Sequence, residues 1–154
     1  MHDLKYEWVN GEQYQERIYS FLKEIDEIMI PSLSSRVCIF EYASKLARLA
    51  ESLYIFDGKS DIASCSVYCN SKVAFISSIA VKKEFLERGI GTLLITEVKK
   101  YVRTKGCEEI HLEVYAQNSV ALSFYIKNGF IIFAENGDIK TMRYLFKTKE
   151  IEGT

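Results

Sequence analysis

The stretch that decides the fold is Ile76-Ser77-Ser78-Ile79-Ala80-Val81-Lys82-Lys83-Glu84-Phe85-Leu86-Glu87-Arg88-Gly89-Ile90-Gly91-Thr92-Leu93-Leu94. Its apolar beginning reads as the end of a strand over 73–81. Its last part opens a helix over about 90–104, with Leu94, Val98 and Tyr101/Val102 inward and Gly106 past its end. Two glycines at the handover let backbone N–H groups come close to a ligand. The helix start adds unpaired donors and about half a unit of positive charge. That favours an anion, phosphate above all, although glycines also serve simply to turn a chain. Residues 82–105 carry seven basic and three acidic side chains in a chain of net charge −1. This suits a polyanionic ligand and equally a solvated helix face. No G-K-[ST] follows, and Leu94 stands where a third glycine would complete G-x-G-x-x-G, so a P-loop and a Rossmann loop are both excluded.

Upstream of this stretch, short apolar runs at 53–56 and 62–69 are separated by Asp57-Gly58, a hairpin signal. Asn70-Ser71-Lys72 turns the chain into the strand at 73–81. Connections this short make an antiparallel meander, because parallel pairing needs a longer crossover. Two helices precede the meander. One covers about 11–29, with Tyr14, Ile18, Phe21/Leu22, Ile25 and Ile28/Met29 at helical spacing. The other covers about 36–51, with Phe40, Ala43, Leu46/Ala47 and Ala50 on one face. Pro31 and three serines separate them.

Downstream, a strand at 109–115 alternates Ile110/Leu112/Val114 against His111/Glu113/Tyr115. A helix at about 119–128 follows, with Asn118 as N-cap and Gly129 past its end. Strands at 130–134 and 142–146, turned by Asn136-Gly137, close the chain. The predicted order is ααβββαβαββ, a mixed sheet with helices on both faces: an α/β (α+β) single domain over 1–154 with a short tail at 147–154.

Composition removes other classes. The 154 residues hold 48% hydrophobic and 27% charged side chains, a globular balance for one domain. Near-zero net charge argues against a general nucleic-acid binder. No apolar run is long enough to span a membrane, and residues 1–10 show no signal peptide. The four cysteines include no C-x-x-C. On one strand Cys65 and Cys69 stand roughly 13 Å apart, too far for a disulfide, which needs about 7 Å. The thiols point to a reducing cytoplasm, and with only His2 and His111 as imidazoles no metal site is expected.

Two segments resemble the GCN5-related N-acetyltransferase (GNAT) superfamily. One is Ile79-Ala80-Val81 followed by Glu87-Arg88-Gly89-Ile90-Gly91-Thr92-Leu93-Leu94. The other is Leu112-Glu113-Val114-Tyr115-Ala116-Gln117-Asn118, continuing through Ala121 and Tyr125 to Gly129-Phe130, the family's L-x-V and N-x-x-A-x-x-x-Y-x-x-x-G-F. The resemblance spans about 73–134. It implies acetyl-CoA as acyl donor, with its pantetheine arm along Ile79, Ala80 and Val81 and its pyrophosphate on the amides of Glu87, Arg88, Gly89, Ile90, Gly91 and Thr92. Asn118 would lie beside the arm, or serve only as the N-cap. Tyr125 would be the general acid for the CoA thiolate, or a tyrosine packed on the sheet. Glu113 would be the general base, or a polar residue on the alternate strand face; His111 and Tyr115 share that face and are its substitutes. As a base, a glutamate of reference pKa about 4.3 needs burial or a water relay. The family usually has Gln or Arg where Leu86 stands here, a departure that removes one polar contact and that Arg88 partly replaces.

The resulting expectation is direct transfer of acetyl to a primary amine of a small molecule, such as an amine or amino sugar, or of a protein. A CoA-binding module without catalysis is the alternative. No nucleic acid, membrane or metal is expected as partner, and a homodimer is left open. Residues 1–30 hold seven acids and three bases; the two N-terminal helices border the acceptor site in the family, so this charge would suit a cationic amine.

Overall fold

A computed structural model describes residues 3–147; the expected tail lies, apart from Lys147, outside them. Seven strands form one sheet: β1 (Lys5–Val9), β2 (Glu51–Phe56), β3 (Asp61–Tyr68), β4 (Val73–Val81), β5 (Glu109–Tyr115), β6 (Ile131–Asn136) and β7 (Ile139–Leu145). The helices are α1 (Gln15–Ile25), α2 (Ile39–Leu49), α3 (Ile90–Thr104) and α4 (Ser119–Lys127). Spatial order is β1-β2-β3-β4-β5-β7-β6. β2, β3 and β4 form the expected antiparallel meander, and the α3 crossover makes β4–β5 the parallel pair.

The sheet carries a core on each face. On one, Ile90, Leu94, Ile95, Val98 and Val102 of α3 pack with Leu53, Ile55, Ile110 and Leu112 and with Tyr125 of α4. Each fully buried apolar side chain of this kind contributes about 1.5–3 kcal/mol. On the other, Ile18, Phe21, Leu22 and Ile25 of α1 and Ala43, Leu46 and Ala47 of α2 pack with Tyr54 and Ala80.

Several expectations are corrected. An extra strand, β1, precedes the helices, making the order βααβββαβαββ. It is an edge strand in which only Val9 is buried, so it lacks the clear apolar alternation that marks a half-buried strand. Two contacts hold it. Trp8 stacks on Tyr101 at 3.9 Å between ring centroids. Arg17 of α1 bridges Glu7 at 2.5 Å and Asp61 at 2.7 Å while lying over the Tyr54 ring. The first helix is shorter than its periodicity, because its ends tighten into single 3-10 turns at Glu12–Tyr14 and Asp26–Ile28. The second is trimmed at both ends, and Glu51 already pairs in β2. Phe40 is 58% exposed rather than inward, and its ring meets Tyr19 edge to face. The last strand begins at Ile139, and β7 inserts between β5 and β6. All four cysteines are free; Cys65 and Cys107 are buried and Cys38 is exposed.

Candidate active site

β4 changes direction in its middle. Ser66 of β3 pairs with Ser78 while Val67 pairs with Ile76, so Ser77 is an extra residue, a β-bulge. Before it, Ala74 and Ile76 face the α3 core; after it, Ala80 faces the α1/α2 core. Parallel pairing with β5 ends at the same place, with Ile76 opposite Leu112. Beyond it β4 and β5 part, and the β5-facing edge of residues 77–81 has no strand partner among the described residues.

A cavity of about 310 Å³ fills the gap. Its strand walls include Ser77, Ser78 and Ile79 of β4 and Leu112, Glu113, Val114 and Tyr115 of β5. Asn118, Ala121 and Tyr125 close it from α4, and residues between α1 and α2, Arg36 among them, close it from the other side of the sheet. The cavity therefore runs through the sheet.

The α4 side is built as the local sequence dictates. Asn118 caps the helix, its Oδ1 accepting from the Ala121 N–H at 3.1 Å, while its side also lines the cavity. Asn118 is thus a helix cap that also lines the cavity. Tyr125 is buried, between the Phe124 and Phe130 rings. Burial pushes its phenol well above the ordinary tyrosine value. Its hydroxyl therefore stays protonated at neutral pH, and it makes no hydrogen bond among the described residues.

Glu113 reaches the same cavity from β5 but is exposed, not buried. Its substitutes separate. Tyr115 lines the cavity beneath the Arg36 guanidinium, 5.5 Å away. His111 lies outside the lining, bonded to Glu109 at 2.5 Å and leaning on Phe133.

The glycine loop sits apart from this cavity; none of residues 87–92 lines it. Gly89 takes φ +78° at the N-cap of α3, where no side chain caps the helix. The helix start thus keeps free donors, as an anion site requires. Glu87 also adopts positive φ, +62°, a strained choice for a residue with a Cβ. Gly91 also has a packing role: a Cβ there would meet the Phe124 ring at 3.2 Å, so glycine lets α3 and α4 pack closely. Of the strand expected along the cofactor arm, only Ile79 lines the cavity, whereas Ala80 and Val81 contribute to the two cores. Leu86 and Lys82 border a second cavity with Glu24 and Glu27, where Lys82 pairs with Glu24 at 3.0 Å. No cluster of three or more His, Cys, Asp or Glu that could hold a metal occurs among the described residues. No described helix is long and apolar enough to cross a membrane.

Sequence reasoning missed Arg36, Tyr42 and Ser77. The one local signal was the Ser77-Ser78 pair, which interrupts an apolar run where the strand bulges. Tyr42 of α2 reaches Ser77 with its hydroxyl.

The fold is that of known proteins. The structure of the PaiA N-acetyltransferase of Thermoplasma acidophilum with coenzyme A superposes with a TM-score of 0.77 over 94% of this chain and 99% of that one, at 22% identity. An IAA acetyltransferase from Bacillus cereus gives 0.73 over 94% and 100%, at 18% identity. At these identities the likeness is one of fold. In sequence, N-alpha-acetyltransferase 60 of Danio rerio is 36% identical over 88 residues, 55% of this chain and 33% of that protein. A spermidine N(1)-acetyltransferase of Thermoplasma acidophilum is 42% identical over 57 residues, 37% of this chain and 35% of that protein. The chain thus matches about a third of the length of these two relatives. The profile of the Acetyltransferase (GNAT) family matches residues 7–130, and the chain belongs to that family.

Proposed function

We propose that this chain transfers an acetyl group from acetyl-CoA to a primary amine in the cavity between β4 and β5. The observation that carries the reading is the parting of these strands at Ile76 and Leu112, which leaves an unpaired strand edge facing Tyr125, Asn118 and Glu113 across one cavity. An extended amide-bearing arm can add to such an edge as a strand would. The uncapped start of α3 offers N–H groups to a pyrophosphate. The relatives named as N-alpha- and spermidine acetyltransferases support an amine as acceptor, and the free cysteines support a reducing compartment such as the cytoplasm.

When bound, acetyl-CoA supplies a thioester whose carbonyl carbon forms a bond to the amine nitrogen as its bond to sulfur breaks. Glu113, through water, takes the proton that the amine must lose. The unpaired N–H groups of β4 beyond the bulge stabilise the oxygen as it gains charge. Tyr125 gives its proton to the departing sulfur and recovers one from solvent. Holding both reactants in one cavity supplies much of the acceleration.

The test is release of CoA thiol with a panel of amines, beside calorimetric titration with acetyl-CoA. Saturable, amine-dependent release is expected. Binding without release for every amine would make the chain a CoA-binding module. Absence of binding would remove the reading altogether.

A further inference from the structure

Among the described residues only two charged side chains line the cavity, Arg36 on one side of the sheet and Glu113 on β5, and they carry opposite charge. Neither makes a hydrogen bond or ion pair among the described residues. The Arg36 guanidinium instead lies over Tyr115, two residues beyond Glu113 on the same strand face and so about 7 Å along β5. Arg36 acts weakly on Asp26, which is already engaged by the Ser34 N–H at 2.6 Å. That bond, with a smaller contribution from Arg36, holds the Asp26 carboxyl below its usual range. Around the two charges the wall is uncharged, mixing apolar Leu33, Val37 and Ile139 with polar Ser77, Ser78 and Asn118. Opposite charges held apart in one cavity, neither hydrogen-bonded nor ion-paired among the described residues, complement a ligand that is itself dipolar. A planar guanidinium suits a carboxylate, which it can bind with two parallel hydrogen bonds.

We infer that the acceptor is an amine that also carries a carboxylate a few bonds away, with its nitrogen at Glu113 and its carboxylate on Arg36. This deepens the proposed transfer and rests on it for the role of Glu113. A polyamine fits less well, because its second cationic group would meet Arg36 rather than an acid.

The experiment compares three pairs that differ in the carboxylate alone: alanine with ethylamine, 4-aminobutyrate with propylamine, and 6-aminohexanoate with pentylamine, plus spermidine. Thiol release gives kcat/KM, and calorimetry on the CoA-loaded protein gives affinity. In at least one pair the carboxylated member should be about tenfold better or more in kcat/KM and in affinity, as a charge-assisted hydrogen bond allows. Arg36→Ala should bring that ratio toward one, chiefly through KM, and Arg36→Lys should keep part of it. Arg48→Ala, on the exposed outer face of α2, should leave it unchanged, and thermal melting shows that each variant folds. A carboxylate preference in binding without thiol release upholds this site while overturning the transfer. Release from all amines with no such preference, spermidine the best acceptor, or a ratio untouched by Arg36→Ala overturns the dipolar acceptor and leaves the transfer standing.

Discussion

The Tyr42 hydroxyl donates to the Ser77 carbonyl at 3.0 Å and lies 2.6 Å from Ser77 Oγ, tying α2 to the residue of β4 that bulges out of its pairing with β3. The roles fit when the serine hydroxyl donates to the tyrosine oxygen. Tyr42 therefore holds the bulge that turns β4 away from β5 and opens the cavity.

Replacing Tyr42 by Phe removes both bonds and keeps the ring. At pH 8 urea unfolding should show a loss of about 1 kcal/mol, and KM for acetyl-CoA should rise more than kcat falls, since the strand edge is displaced. Burial pushes the Tyr42 phenol up to about 12, against about 10 when unfolded. A raised folded value means that its contribution is complete below pH 10 and is lost as pH rises toward 12. The stability gap between wild type and Tyr42→Phe should therefore shrink across that window.

Tyr125→Phe should lower kcat by about tenfold to a hundredfold, at the weak end for a general acid, because a CoA thiolate leaves tolerably without help. Acetyl-CoA affinity should hold, since the ring stays between Phe124 and Phe130. Steady-state kinetics at saturating amine, with calorimetry beside them, checks this. Full kcat in the variant assigns the proton to water.

Glu113→Gln keeps the size of an exposed side chain, so melting temperature should not move. The rate should fall most at low pH, where free amine is scarce, and least above pH 9. A pH–rate profile that overlays the wild type's would leave Tyr115, the other β5 residue of this face in the cavity, as the next candidate.

Gly91→Val should cost about 1–3 kcal/mol in urea unfolding, the range for overpacking, because the new Cβ presses the Phe124 ring at 3.2 Å. Gly89→Ala meets no atom within 4 Å but keeps φ +78°, so its loss should be smaller, about 1 kcal/mol. Its effect on CoA affinity is then the cleaner probe of the loop.

What the sequence determined by itself was everything set within a few residues. The strand, glycine loop and helix of 73–104 were legible because period and turn chemistry are local. Asn118 as a cap and Tyr125 seven residues on, about two helical turns away, were legible for the same reason. The two helices and the alternation of β5 followed from periodicity, and the meander from the short turns that join its strands.

The tertiary structure decided what depends on distant partners. β1 has little apolar pattern of its own and exists because β2 offers it an edge. Lys140 and Thr141 obscure the start of β7, which becomes strand by pairing with β5 on one side and β6 on the other. The bulge at Ser77 is held by a tyrosine 35 residues earlier in the chain. Arg36 and Glu113 share a cavity only because the sheet opens between β4 and β5. Spacing along the chain encodes none of these, since each contact is selected by packing across the sheet after the local elements have formed.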